Sequence, residues 1–328
     1  MRAEYSAGRE VPAQGSVFAY GAAAGLLADR LFGDPRRGHP VAAFGRAAGA
    51  VERVLWRDHR GWGALHAVVC AGGTAGAAAL VARGVRGRGA VSVALTAAVT
   101  WTVLGGTSLG REARAVGGAL AAGDVEVARE RLPHLCGRDP AALDEGQIAR
   151  AVVESVAENT SDAVVGALVW GALGGVPGLV AFRAVNTLDA MVGHRSPRLL
   201  RFGWASARLD DVAGWPGARL TAVLTAVASG APARALEAVR RDAGRHPSPN
   251  AGPVEAAFAG ALGVRLGGTL AYGGRAEHRP VLNGGGRPVE VADIERAVRL
   301  SRRVGVLALG VCVGGRLLAG HLLGRRSR

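Results

Sequence analysis

Two long uncharged stretches separated by six residues constrain this chain more than any other feature. Residues 62–82 carry no formal charge over 21 residues, and residues 89–110 carry none over 22. As α-helices, each is long enough to cross a hydrocarbon core of about 30 Å. Only Arg83, Arg86, Arg88 and three small or apolar residues lie between them. A tight transmembrane helical hairpin is therefore expected. Gly72 with Gly76, and Gly106 with Gly110, have the spacing of close helix packing.

Such segments reconcile a composition that is 49% apolar and still 20% charged: the two kinds of residue sit in separate blocks. The net charge is +14, and all 40 Lys and Arg positions are Arg. Without Lys there is no P-loop, no pyridoxal Schiff base and no Ser-Lys hydrolase. The charge suits anionic lipid headgroups or phosphate-bearing substrates. Nucleic acid is not expected as a partner, because no basic stripe is interleaved with stacking aromatics. Cys70, Cys136 and Cys312 form no C-x-x-C, so neither a zinc site nor a disulfide framework is indicated.

Four further segments are ambiguous. Residues 17–32 begin as a short apolar run that ends at Asp29; with no small-residue cleavage site after it, a membrane-entering helix is the better reading. Residues 163–182 are uncharged, but Gly174-Gly-Val-Pro-Gly178 at the centre makes a poor continuous helix. This segment either spans with a kink or folds into two half-helices as a re-entrant hairpin, which is tolerated where protein covers the broken backbone. Residues 212–233 contain Arg219, and 304–324 contain Arg316. Residues 111–158 read as charged, Ala-rich helix outside the membrane, broken at Pro133 and Pro140. Residues 234–303 read as polar. The expected fold is all-α: one polytopic membrane domain over 1–328, with about four to five transmembrane or re-entrant helices and helical cytoplasmic loops. Arg46, Arg53, Arg57 and Arg60 before the hairpin, and Arg111, Arg114, Arg129 and Arg131 after it, outnumber the three Arg of its turn. The positive-inside rule then puts the long loops, and the polar clusters on them, in the cytoplasm of a cell-membrane protein.

The chemistry concentrates at the ends of 163–182. Glu158-Asn-Thr-Ser-Asp162 enters the segment and Arg183-Ala-Val-Asn-Thr-Leu-Asp189 leaves it. Both contain Asn-Thr-x-Asp, as Asn159 to Asp162 and Asn186 to Asp189. If the Gly-rich centre folds the segment back, both motifs reach the same side. Oxygen ligands of this kind suit Mg²⁺ held by one or two carboxylates and by substrate phosphates, with Asp162 and Asp189 as the metal candidates. Arg183 suits a phosphate directly. Helix capping by Asn, Thr and Asp competes as an explanation for either motif alone.

Three other clusters are candidates. Arg208, Asp210 and Asp211 precede an apolar stretch, a costly place for carboxylates unless they are paired or metal-bound; a plain salt bridge competes. His246, Ser248 and Asn250 lie on a turn stiffened by Pro247 and Pro249, and a structured surface loop competes. Asp34 and His39 lie in an interfacial turn stiffened by Pro35 and Pro40, as ligands or as turn formers.

In this order, the motifs G-D-P-x-x-x-H-P-V (33–41), E-N-T-x-D (158–162), R-A-V-N-T-L-D-x-M-V-G (183–193), F-G-W-A-S-A-R-L-D-D (202–211) and S-P-N-A-G (248–252) resemble the CbiB/CobD family of cobalamin biosynthesis, the membrane-bound adenosylcobinamide-phosphate synthases. The resemblance covers nearly the whole chain. It implies an ATP-dependent acid–amine ligase that joins adenosylcobyric acid to (R)-1-amino-2-propanol or its O-phosphate. It also implies Mg²⁺ and ATP as co-substrate, no bound organic cofactor, and membrane lipids and other cobalamin-assembly enzymes as surroundings. With no Lys and no phosphate loop, the nucleotide must be held by Arg and Mg²⁺. On this reading Asp162, Asp189 and Asp210 serve the metal and phosphates, Arg183 and Arg208 the developing charge, and Glu158 or His246 the amine proton. Asn159, Asn186 and Asn250 orient substrate amides. A Mg²⁺-dependent membrane transferase of the prenyl- or alcohol-phosphotransferase type would also carry Asp-rich helix ends. A corrinoid-binding or transport scaffold would instead place polar groups within its spans.

Overall fold

The computed structural model describes residues 14–35, 38–137, 139–141, 143–194, 196–272 and 275–326. Its helices are α1 Gln14–Phe32, α2 Pro40–Leu55, α3 Arg60–Ala67, α4 Gly73–Gly84, α5 Gly89–Val103, α6 Gly106–Ala121, α7 Val125–Arg131, α8 Glu145–Thr160, α9 Gly166–Leu188, α10 Trp204–Ala228, α11 Pro232–Asp242, α12 Ala251–Leu262 and α13 Val291–Arg326. One antiparallel pair, β1 Leu266–Tyr272 and β2 Arg275–Leu282, interrupts the helical pattern, with Leu266 opposite Leu282. Among the described residues four stretches are long and apolar enough to cross a membrane: Arg60–Gly84, Gly89–Ala121, Glu145–Gly193 and Val291–Leu322. Leu31, Phe32, Leu80, Val81, Leu318 and Leu322 are exposed. A water-soluble surface avoids such an apolar belt, whereas lipid accommodates it. The chain is a polytopic α-helical membrane protein.

The ambiguous 163–182 segment is folded back on itself. At Gly175 the backbone takes φ 65 and ψ −147, a conformation essentially confined to glycine. A side chain at Gly166 would strike the ring of Phe182, and one at Gly178 would strike the carbonyl of Trp170. A Cβ at Gly171 would lie 2.8 Å from Leu179 Cδ2. These pairings are those of two antiparallel arms meeting at Gly175. Glycine at the crossing lets the backbones approach. Pro177 opens the second arm, where a missing N–H leaves nothing unsatisfied. Each arm of about 12 residues reaches about 18 Å at 1.5 Å per residue. The first arm of this re-entrant hairpin packs along α10: Trp170 Nε1 donates to Ala213 O at 2.8 Å, and a Cβ at Gly217 would lie 2.8 Å from Gly166 Cα.

The 89–110 stretch is not one helix. Helix α5 ends at Val103, Leu104 is extended (φ −78, ψ 144), and α6 begins at Gly106. The cause lies in another element. Buried Asp29, at the end of α1, accepts hydrogen bonds from the Thr107 backbone N–H at 3.2 Å and the Thr107 hydroxyl at 3.0 Å. This carboxylate caps the new helix start, a gain of about 1 kcal/mol for such a cap. Residues 234–303 also differ from the polar stretch expected. They contain α12, which is buried along almost its whole length, and the β-hairpin. The hairpin is tied to α8 by Gly267 N–H donating to buried Glu154 at 2.7 Å.

Candidate active site

Both Asn-Thr-x-Asp motifs lie at the base of the re-entrant hairpin, on its two arms. Asp162 sits in a π-helical turn, Ser161–Val165, that joins α8 to the first arm. Asp189 sits in another, Asp189–Gly193, that ends the second arm. Such turns re-aim one side chain relative to a regular helix and recur at functional sites. The second turn is fitted closely to its carboxylate, since a Cβ at Gly193 would overlap Asp189 Oδ1.

The two carboxylates share one neighbourhood. Asp162 has Glu158, Asp210 and Asp189 as negatively charged neighbours, and one guanidinium, Arg183, against them. Arg183 lies between the hairpin base and the 33–41 turn, its nearest acidic neighbours being Asp34 and Asp162. Its Nη1 donates to Asn186 Oδ1 at 3.5 Å, and Asn186 Nδ2 donates to Asp210 Oδ1 at 3.4 Å. Burial, with Asp189 as the next cause, pushes the Asp210 carboxyl up to about 7, against the Asn186 hydrogen bond. Adjacent Asp211 pairs with exposed Arg208 at 3.0 Å and is also a charged neighbour of Asp189 and Asp210. An exposed pair of this kind contributes about 0–1 kcal/mol. Asn159 donates to Ser155 on its own helix at 3.0 Å, and Glu158 is exposed.

The remaining candidates split. Asp34 belongs to the cluster through Arg183: its backbone N–H donates to Ser108 Oγ at 3.2 Å, and its buried Oδ1 has no protein partner among the described residues. His39 instead caps α2, its Nδ1 accepting the Val41 N–H at 3.2 Å. Ser248 Oγ accepts the Ala251 N–H at 3.1 Å, at the start of α12. His246 is buried, with Nδ1 accepting the Ser248 N–H at 3.1 Å and Nε2 3.9 Å from buried Glu255. Asn250 is a support. Its Nδ2 donates to the carbonyls of Asp211 at 3.0 Å and Asp210 at 3.4 Å, while Arg219 holds its Oδ1 at 3.1 Å. Asn250→Ala is therefore expected to lower kcat/KM at least about tenfold by releasing this turn of α10. It should destabilise the fold by about 1–3 kcal/mol through the lost hydrogen bonds to α10 and to Arg219. Thermal unfolding and turnover of the variant check both numbers.

Sequence reading passed over three residues that hold the site together: Asp29, Ser108 and Glu255. Asp29 did carry a signal, as a carboxylate closing an apolar helix. The other two carried none. Beside Arg183 lies a cavity of about 320 Å³, walled by Val41, Phe44, Val99, Thr102 and Val180. It gives the charged cluster an apolar neighbour large enough for part of an organic substrate.

Among the described residues, no three His, Cys, Asp or Glu side chains converge so as to hold an ion by themselves. An Mg²⁺ shared between one or two carboxylates and substrate phosphates needs no such cage. Three carboxylates around Asp162 with one guanidinium leave a local negative excess that such a cation would offset. The donor set fits.

The chain is similar to known proteins along most of its length. The family model described as CobD/Cbib protein matches residues 22–301. "Cobalamin biosynthesis protein CobD" of Mycobacterium tuberculosis (strain ATCC 25618 / H37Rv) is 54% identical over 290 residues, covering 87% of this chain and 92% of that protein. The protein of the same name from Chromobacterium violaceum is 44% identical over 288 residues, covering 85% and 90%. That of Rhizobium meliloti (strain 1021) is 42% identical over 291 residues, covering 83% and 89%. No solved structure matches this chain. The chain belongs to the CobD/CbiB family of cobalamin biosynthesis proteins.

Proposed function

We propose that this protein is the amide synthase of the family. It joins a propionate carboxylate of adenosylcobyric acid to (R)-1-amino-2-propanol or its O-phosphate, at the expense of ATP, and gives adenosylcobinamide or its phosphate. The observation that carries the proposal is that Asp162 and Asp189, from two copies of one motif, are charged neighbours at the base of the re-entrant hairpin, with Arg183 beside Asp162. The positive-inside rule supports a cytoplasmic position for that base.

The reaction needs the carboxylate oxygen to attack the γ-phosphate, giving an acyl phosphate and ADP. The amine then displaces inorganic phosphate and loses a proton. Phosphoryl transfer is catalysed mainly by positioning and by charge stabilisation. Mg²⁺ bound by Asp162 and Asp189 would neutralise nucleotide phosphate charge. Arg183, a charged neighbour of Asp162, would stabilise charge developing on the transferred group. Asp210, fixed by Asn186 and by the turn that Asn250 supports, completes the acidic wall. Glu158, exposed beside Asp162, is placed to take the amine proton. His246 is less accessible for that task, because its ring is enclosed with Glu255. The apolar cavity beside Arg183 takes an apolar part of the substrates.

Isotope transfer tests the acyl phosphate. Adenosylcobyric acid labelled with ¹⁸O in the reacting carboxylate is expected to deliver one label to inorganic phosphate for each amide formed. Label appearing in AMP would replace this mechanism with an adenylate. Amide formation with no label transfer to either product would remove carboxylate activation altogether.

A further inference from the structure

At the far end of the hairpin, about 18 Å from the carboxylates by the length of an arm, lies a cavity of about 460 Å³. Its walls are of two kinds. Val17, Phe18, Ala79 and Leu95 make an apolar side. Arg83, Arg86 and Arg316 make a basic side, and no acidic residue lines it among the described residues. Arg83 and Arg86 are exposed and carry no ion pair among the described residues. Arg316 is held at the rim, its Nη1 donating to the carbonyls of Ala172 at 2.8 Å and Leu173 at 3.0 Å, the last turn of the first arm. The tip itself is bare: a Cβ at Gly174 or Gly175 would meet nothing within 4 Å.

We propose that this cavity binds an anionic phospholipid, with the headgroup phosphate against Arg83 and Arg86 and part of an acyl chain along Phe18, Ala79 and Leu95. Charge complementarity selects this occupant. Unpaired guanidinia at a membrane surface attract anionic headgroups, and an apolar wall beside them wants hydrocarbon rather than water. A zwitterionic lipid satisfies the second requirement and only half of the first. The bound lipid fills the open side of the Gly174–Gly175 tip and so braces the hairpin from the end opposite the chemistry.

The test uses the full-length protein in detergent, titrated with phosphatidylglycerol or phosphatidylcholine of identical chains, with bound lipid counted by native mass spectrometry. Phosphatidylglycerol is expected to bind at least about tenfold more tightly than phosphatidylcholine. At about 1 kcal/mol per arginine near an anionic surface, Arg83→Gln or Arg86→Gln alone should weaken it about fivefold, and the two together about thirtyfold. Ala79→Trp, which fills the apolar side and leaves the arginines, should also weaken it about tenfold. Equal binding of the two lipids overturns the proposal, as does undiminished phosphatidylglycerol binding in the double variant. Displacement by inorganic phosphate at equal concentration, with Ala79→Trp binding normally, would mean a simple phosphate site and would overturn it too.

Discussion

Asp162→Asn and Asp189→Asn are each expected to lower kcat/KM for amide synthesis by about 10²–10³-fold, the usual loss when one element of electrostatic stabilisation is removed from a site. Each change is nearly isosteric and leaves the hairpin base packed. Stability should not fall with activity, because four like-charged groups crowd this region and neutralising one relieves repulsion. The free variants should therefore unfold at or above the temperature of the parent, while any stabilisation by added Mg²⁺ shrinks. The double variant should fall no more than about tenfold below the worse single one, since groups that act as a unit lose their effect together. Turnover and thermal unfolding, with and without Mg²⁺, check each part. Full activity in both folded single variants would remove the cation assignment.

Gly175→Ala carries the second large effect, from 18 Å away. The backbone there occupies a conformation that a side chain makes costly by about 1–3 kcal/mol. Space is not the problem, because a Cβ at this position meets nothing within 4 Å. The loss is expected to appear as a lower unfolding temperature with most activity retained at low temperature. Gly178→Leu acts differently. Its side chain would be driven into the Trp170 carbonyl, so the arms must separate and carry Asp162 and Asp189 apart. Activity should fall at least about 100-fold with every candidate catalytic residue still present. Parent-like stability in Gly175→Ala together with parent-like activity in Gly178→Leu would mean that the two motifs do not depend on the fold-back.

The hairpin was legible because two kinds of signal coincide. A repeated Asn-Thr-x-Asp flanks an uncharged segment, and Gly174-Gly-Val-Pro-Gly178 sits at its middle. Together they leave few alternatives to a fold-back, although a kinked span fitted the residues equally until the contacts between arms decided. The π-helical turns that aim Asp162 and Asp189 left no local trace in the sequence. The break between α5 and α6 was nearly as hidden. Gly105-Gly106 is the one local mark of it, while the capping carboxylate, Asp29, arrives from a helix more than 70 residues earlier. The motif around 246–250 shows the limit in the other direction. Its prolines correctly marked a stiff turn, but sequence could not tell a side chain aimed at substrate from one aimed at the backbone. Asn250 and Ser248 hold backbone groups, and His246 faces Glu255. Helix α12 is hard to see in the sequence because the Pro-rich turn before it and the Gly-rich turn after it dominate the stretch, masking a short run of Ala, Val and Phe that is buried in the fold.

The central claim is that the carboxylates gathered at the hairpin base make an amide on a corrinoid. The direct measurement is the mass of the corrinoid after incubation of the purified, detergent-solubilised protein with adenosylcobyric acid, Mg²⁺-ATP and either aminopropanol or its O-phosphate. The expected result is a product heavier by one amine less one water, formed only with ATP, and its mass shows which amine was used. A folded protein that binds the corrinoid and leaves its mass unchanged with both amines would contradict the account and point to a corrinoid-binding scaffold instead.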